Sequence, residues 1–306
     1  MVSFKMIIPS SLRTRLFSSR LGVRTLITST STDSPPHAYL RPYLQTKSDA
    51  QPENEGLEGV MSLVLDRPET KNALSVRMVA EMREGIAKLD SMPFTSSRIL
   101  LLQSSQPNLF CSGADLRERR NMSQEQVSGF LDSLRDMLRE LEGIKVPSIA
   151  VIDGYALGGG AELALGCDLR VGGENTKIAL PETKLGIIPG AGGTQRLTHL
   201  VGVSKAKELI YTGKQINGVE AERIGLINTY SPQPFQSALT LSKQIMTSAP
   251  LALSSAKTAI SSASRLPLED GLDLERKVYN ALLDTEDRQE GLRAFKEKRK
   301  AVFKGR

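Results

Sequence analysis

Apolar positions along this chain fall into short unbroken runs and longer periodic stretches, and the two alternate. Residues 60–66, 98–103 and 148–152 are mostly apolar and bounded by turn-forming or polar residues, so each predicts a buried strand. Shorter runs at 167–171, 176–179 and 226–229 predict three more. Between them, apolar residues recur at three- and four-residue steps. Met78, Val79, Met82, Ile86 and Leu89 line one face of a helix predicted over 75–90. Phe130, Leu131, Leu134, Met137, Leu138 and Leu141 do the same up to residue 142, behind the capping-box pair Ser123 and Gln126. From residue 204 the pattern is mostly helical and ends in helices over 268–283 and 285–299. Strand–strand–helix material followed by helices predicts an α/β core with a helical C-terminal part.

The N-terminus has no such pattern. Lys5, Arg13, Arg15, Arg20 and Arg24 stand among many Ser and Thr residues with no acid before Asp33. That composition is expected of a mitochondrial or plastid transit peptide. Scattered prolines follow (Pro35, Pro36, Pro42, Pro52). The expected layout is a transit peptide over 1–45, a linker over 46–56, a core over 57–240 and a helical region over 241–306.

Composition narrows the function classes. Of 306 residues, 40% are hydrophobic and 24% charged, ordinary globular values. No apolar run reaches the roughly 20 residues of a membrane-spanning helix. Two cysteines, Cys111 and Cys167, make no disulfide framework and no metal cluster, and both read as buried thiols. With His37 and His199 the only histidines, a zinc site or a Ser-His-Asp triad has little to build on. The net charge of +6 belongs mostly to the N-terminus, because without its five cations 35 basic residues face 34 acidic ones. Basicity therefore says little about partners of the folded part.

Candidate chemistry converges on three loops. The first is Ser112-Gly-Ala-Asp-Leu116, and the second is Gly158-Gly-Gly-Ala-Glu162, which a strand feeds and a helix leaves. The third is Pro181-Glu182 with the glycines that trail it. Bare backbone N–H groups at a helix start suit a developing negative charge, and two such donors aimed at one oxygen make an oxyanion hole. Two carboxylates facing one water can divide its activation from delivery of a proton. The run Gly190-Ala-Gly-Gly-Thr lacks both the Lys-Ser/Thr ending of a P-loop and dinucleotide-site spacing, so it reads as a tight turn capping the next helix.

Long segments in order then carry a resemblance: Arg67-Pro-Glu-Thr-Lys-Asn-Ala-Leu74, Phe110-Cys-Ser-Gly-Ala-Asp-Leu116, Asp153-Gly-Tyr-Ala-Leu-Gly-Gly-Gly-Ala-Glu162, Pro181-Glu182 and Pro189-Gly-Ala-Gly-Gly-Thr-Gln-Arg-Leu197. From about Gly59 onward the chain resembles the crotonase (enoyl-CoA hydratase/isomerase) superfamily. Within it, Ala114-Asp-Leu-Arg-Glu-Arg-Arg, Lys207-Glu-Leu-Ile and Ala294-Phe-Lys-Glu-Lys-Arg299 are most similar to the mitochondrial methylglutaconyl-CoA hydratase branch.

The resemblance implies a spiral of strand–strand–helix repeats with a helical C-terminal trimerisation region, giving a homotrimer or a dimer of trimers. It implies hydration of a 2-enoyl-CoA in fatty-acid or branched-chain amino-acid breakdown, in the mitochondrial matrix. Coenzyme A enters as part of the substrate, with no permanently bound cofactor and no metal. Ala114 and Gly159 would supply the oxyanion hole, Glu162 the base and Glu182 the proton donor. Lys71, Ala73, Leu74, Ser112, Asp115 and Leu116 would line the path of the adenine and pantetheine. Tyr155, Leu157, Gly158, Pro181, Leu185 and Gly190 would surround the acyl end. Two glutamates favour hydratase over a Δ3,Δ2-enoyl-CoA isomerase, which generally needs one. Some members of the branch bind AU-rich RNA through a lysine-rich helix. Here that helix, 75–90, has Arg77, Arg83 and Lys88 against Glu81, Glu84 and Asp90, so nucleic-acid binding is not expected.

Overall fold

The computed structural model describes residues 34–44 and 54–306. Two sheets organise it, and successive parts of the chain contribute one strand to each. The larger has six strands: β1 (Ala38–Pro42), β2 (Val60–Leu65), β3 (Ile99–Ser104), β5 (Ser148–Ile152), β7 (Leu169–Gly172) and β10 (Thr229–Tyr230), adjacent in that order. β1 runs antiparallel to β2 and all later pairings are parallel. The smaller sheet holds β4 (Leu109–Cys111), β6 (Tyr155–Leu157), β8 (Lys177–Ala179) and β9 (Ile216–Asn217), with only β9 antiparallel. Thus β3–β4, β5–β6 and β7–β8 are successive turns of a spiral. The helices that close its first turns are α1 (Val76–Ser91), α2 (Leu116–Arg120), α3 (Gln124–Gly143) and α4 (Gly159–Leu165). This is the spiral that the resemblance implied.

The large sheet is buried on both faces, which explains why its central strands lack polar alternation. Met61, Leu63, Leu100, Leu102, Ala150 and Ile152 point into a core shared with α1 and α3. Their neighbours Val60, Ile99, Leu101, Ile149 and Val151 point the other way, against Ala238 and Leu239 of α8 (Pro234–Met246). Ser75 caps α1 by accepting the Met78 N–H, and Ser123 and Gln126 form a reciprocal capping box on α3.

β1 corrects the expected layout. Residues 1–33 of the expected transit peptide lie outside the described residues, as does most of the expected linker. Ala38–Pro42, however, is a sheet strand, with its Ala38 side chain buried and Leu40 packed over Gly85 of α1. Glu81 fixes its entry by accepting the His37 and Ala38 N–H groups at 2.7 and 3.0 Å. Five residues beside several prolines carry too little pattern to signal a strand. A chain starting at residue 34 keeps β1. One starting at residue 46 loses β1 and is expected to lose roughly 2 kcal/mol or more, about 4–8 °C of Tm. Thermal unfolding of the two truncations checks this.

After the spiral come α5 (Gly193–Val201), α6 (Val203–Thr212), α7 (Gly218–Arg223), α8, α9 (Pro250–Ser262), α10 (Leu268–Asn280) and α11 (Glu286–Glu297). The strand expected at 226–229 sits slightly later, as β10. No residue of α10 is buried, and Ile260, Leu268 and Phe295 leave about three-quarters or more of their surface exposed (74%, 74% and 87%). A single chain thus leaves a large apolar area uncovered in this region. On α1, Arg77 pairs with Glu81 at 2.7 Å and Arg83 with Glu140 at 2.5 Å. No described helix is long and apolar enough to cross a membrane.

Candidate active site

All three candidate loops leave the C-terminal ends of the parallel strands of the small sheet. β4 runs into Ser112-Gly113-Ala114, β6 into Gly158, and β8 into Leu180-Pro181-Glu182. Adjacent parallel strands necessarily deliver their next residues to one edge, which is how three distant segments meet. β4 and β6 are findings of the structure, since both stretches read as loop in the sequence. Three-residue strands are too short to register as a period.

The glycine run has two separate jobs. Gly158 adopts φ 51° and ψ −121° at the start of α4, a conformation that side-chain-bearing residues avoid. Gly160 lets α4 lie directly on β4, because a β-carbon there would stand 2.2 Å from the Cys111 carbonyl oxygen. The same close approach sets Gly159 beside Ala114. A β-carbon on Gly159 would lie 3.6 Å from the Ala114 nitrogen. Ala114 is held by a parallel bridge to Leu74, in which Leu74 N–H donates to Gly113 O at 2.7 Å and Asp115 N–H donates to Leu74 O at 3.0 Å. That pattern turns the Ala114 N–H away from Leu74. Among the described residues neither Ala114 N–H nor Gly159 N–H has an acceptor.

Glu162 lies in the first turn of α4 and is 2% exposed. Its Oε1 accepts the Ala191 N–H at 2.9 Å and the Gly193 N–H at 2.7 Å. Burial raises its pKa above the ordinary carboxylate value, while the Gly193 and Ala191 hydrogen bonds and the Arg196 charge oppose the rise. Glu182 opens the 3-10 turn Glu182–Leu185. Its Oε1 approaches Gly158, where a β-carbon would lie 2.9 Å away. Its Oε2 is buried with no hydrogen-bond partner. Burial, with the nearby Glu162 charge adding to it, pushes the Glu182 pKa up to about 7. The two environments are therefore unequal. Glu162 has two amide donors to stabilise its ionised form, whereas Glu182 has an orphan oxygen and a neighbouring charge, so Glu182 is the one that keeps a proton near neutrality.

The other sequence candidates divide into groups. Segment 71–74 lies along 112–116, with Ser112 N–H donating to Lys71 O at 3.0 Å and Ser112 Oγ to Thr70 O at 3.2 Å. Lys71 is exposed and left-handed (φ 56°), whereas Ala73 and Leu74 are buried. Asp115 is occupied structurally: it caps α2 through the Arg117 and Glu118 N–H groups and accepts Arg67 Nη1 at 2.8 Å. Leu116, Leu185 and Tyr155 are exposed apolar side chains. Leu185 ends the 3-10 turn that Glu182 opens, and Tyr155 stands at the opposite end of β6 from Gly158. Gly190 packs on α3, where a β-carbon would lie 2.9 Å from Leu131 Cδ2. Both cysteines are free and buried, with thiols pushed up to about 12 by burial. Among the described residues no cluster of His, Cys, Asp and Glu could hold a metal ion.

One functional feature escaped the sequence. The turn 190–193 does cap α5, as expected, with Gly192 at the cap position. It also spends two of its N–H groups on Glu162. A second glycine run just ahead of a helix was the available signal, because such a run exposes amides as the first one does.

The chain belongs to the enoyl-CoA hydratase/isomerase family, whose sequence profile matches residues 55–306. It is 46% identical to the enoyl-CoA isomerase/hydratase fer4 of Mycosarcoma maydis, over 86% of this chain and 97% of that one. To the mitochondrial methylglutaconyl-CoA hydratase of Mus musculus it is 41% identical, over 81% of this chain and 80% of that one. The crystal structure of an enoyl-CoA hydratase from Bacillus anthracis superposes with a TM-score of 0.78 at 40% identity, covering 81% of this chain and 96% of the other.

Proposed function

We propose that the protein is an enoyl-CoA hydratase that adds water across the 2,3 double bond of a 2-enoyl-CoA thioester. The observation that supports this most is the pairing of Glu162 with the buried, partnerless Oε2 of Glu182, beside the free N–H groups of Ala114 and Gly159. The thioester oxygen accepts those two N–H groups, which draw electron density from the double bond. Glu162, ionised, takes a proton from the water between the carboxylates as the water oxygen bonds to C3. Charge moves onto the thioester oxygen as an enolate, where the two amides stabilise it. Glu182, protonated, then gives its proton to C2. One water is consumed, and transfer of the proton from Glu162 to Glu182 through solvent restores the starting state.

Substrate handling follows from the same edge. Lys71, Ala73, Leu74, Ser112, Asp115 and Leu116 border the side on which the coenzyme A portion lies. Leu157, Gly158, Pro181, Leu185 and Gly190 border the acyl side, whereas Tyr155, at the far end of β6, lies away from that edge. The reaction itself needs no resident cofactor. Incubation with a 2-enoyl-CoA and, separately, a 3-enoyl-CoA tests the reading. The expected result is a 3-hydroxyacyl-CoA from the first. Migration of the double bond in the second without hydration of the first would make the protein an isomerase instead.

The protein is further proposed to act in the mitochondrial matrix, with a leader that ends before His37, since a removed peptide cannot supply β1. The mitochondrial relative and the acid-free, Arg-rich first 32 residues support this. The uncovered apolar surface of α9–α11 supports assembly into a homotrimer or a dimer of trimers. Light scattering is expected to give the mass of three or six chains, and a monomer at micromolar concentration would contradict it.

A further inference from the structure

Glu162 is directed by the turn 190–193, and that turn is itself held. Arg196, on the first turn of α5, donates from Nη1 to the Ala191 carbonyl at 2.6 Å. The Ala191 residue is thereby gripped from both ends: its N–H points at Glu162 and its C=O at the guanidinium. Arg196 Nε donates to Glu142 Oε1 at 2.5 Å, at the C-terminal end of α3. Both side chains are mostly buried, at 15% and 28% exposure. Gly192 makes the contact feasible, since a β-carbon there would stand 2.2 Å from Arg196 Nη1. Charge-assisted bonds of this kind are short, directional and stronger than neutral ones.

We propose that Arg196, braced by Glu142, is a positioning residue for Glu162, fixing the turn whose N–H groups aim the carboxylate. The inference rests on the hydratase reading only for its kinetic consequences. Arg196 does not touch the reacting atoms. It acts through Ala191, and it is the cation facing Glu162. The other charged group facing Glu162 is Glu182, from the turn after β8. Cys111 on β4, beneath α4, is a neutral thiol. Behind Arg196 stand Glu142 and, at 3.8 Å from it, the exposed Arg265.

Opposite substitutions separate positioning from simple structural support. Arg196→Met removes the cation and loosens both amide donors, and each change raises the Glu162 pKa. The expected result is kcat lower by about tenfold to a hundredfold, KM within about twofold, and the acid limb of the pH profile moved up by about half a unit or more. Glu142→Gln keeps an acceptor for Nε but removes the charge that offsets Arg196, so its acid limb is expected to move down. Arg196→Lys keeps a cation and is expected to recover part of the loss. The Glu162 carboxyl signal in carbon-13-labelled protein, assigned by its disappearance in Glu162→Gln, gives the same shifts without turnover.

The outcomes are distinguishable. If the unaltered protein hydrates a 2-enoyl-CoA but neither kcat nor the acid limb moves in Arg196→Met, the positioning role is wrong and the hydratase reading stands. If the unaltered protein does not hydrate, that reading falls. The carboxyl signal then decides the strut by itself: opposite shifts support it, and no shift in either variant overturns it. Should Arg196→Met not fold, Arg196→Lys and Glu142→Gln supply the same comparison.

Discussion

Glu162→Gln and Glu182→Gln are each expected to lower kcat for hydration by about a hundredfold to ten-thousandfold, the range in which a positioned acid or base contributes. Acyl-CoA binding is expected to change little, because neither carboxylate is among the residues proposed to border the coenzyme A portion. In Glu162→Gln the amide oxygen can still accept the Ala191 and Gly193 N–H groups, so the turn keeps its shape while the base is lost. The pH profile separates the two roles. In the proposed mechanism the active form has Glu162 ionised and Glu182 protonated. Glu182 has its pKa raised to about 7, so it carries its proton below that pH and loses it above. Activity should therefore rise with pH as Glu162 ionises and fall again near pH 7, with both limbs belonging to the coupled pair. Glu182→Gln should abolish the alkaline limb. Its acid limb should stay nearly in place, because Glu182 is already protonated and uncharged where Glu162 ionises. Near-normal turnover in either variant would remove that residue from the mechanism.

Gly160→Ala is expected to be among the most damaging single methyl additions at the described glycines. The added carbon would sit 2.2 Å from the Cys111 carbonyl oxygen and 2.8 Å from its carbon, both backbone atoms that cannot rotate away. Relief requires α4 to lift off β4, which separates the Gly159 N–H from the Ala114 N–H. A loss of about 3 kcal/mol or more is expected, at the upper end of overpacking effects. The molecules that do fold should hydrate at least about tenfold more slowly. Gly129→Ala is the matched control. It lies on the exposed side of α3 with nothing within 4 Å of an added β-carbon. There the change should stabilise by about 0.5–1 kcal/mol. Urea unfolding midpoints of the two variants read both effects, and equal midpoints would contradict the close packing of α4 on β4.

Much of this architecture was legible in the sequence where side chains report their surroundings. β2, β3 and β5 are apolar on both faces because α1 and α3 cover one and α8 the other, so their runs stand out unbroken. The amphipathic faces of α1 and α3 and their Ser caps were equally plain. The site's three loops were also readable, because glycine and glutamate beside strand ends are unusual enough to notice. What escaped depends on backbone pairing and on distant contacts. β1 is recognised only through its partner β2 and the Glu81 carboxylate, neither of which is near it in sequence. β4 and β6 are three residues each and carry no period. The meeting of Glu162 and Glu182 came from the resemblance, and its physical basis is the small sheet, which sends β6 and β8 out at the same edge. Arg196 carries no signal of its own in the sequence, since its partners Ala191 and Glu142 are defined by the turn and by the end of α3. Asp115 looked like a lining residue and turns out also to be a helix cap paired with Arg67.

The most direct measurement of the central claim follows the atoms of water. A 2-enoyl-CoA incubated with the protein in oxygen-18-labelled heavy water should give a product one water heavier. The expected result is one oxygen-18 as a hydroxyl on C3 and one deuterium on C2, both appearing at least about a hundredfold more slowly when Glu162→Gln replaces the unaltered protein. Deuterium gained without oxygen-18, or recovery of the unchanged thioester, would contradict the proposal that Glu162 and Glu182 add one water between them.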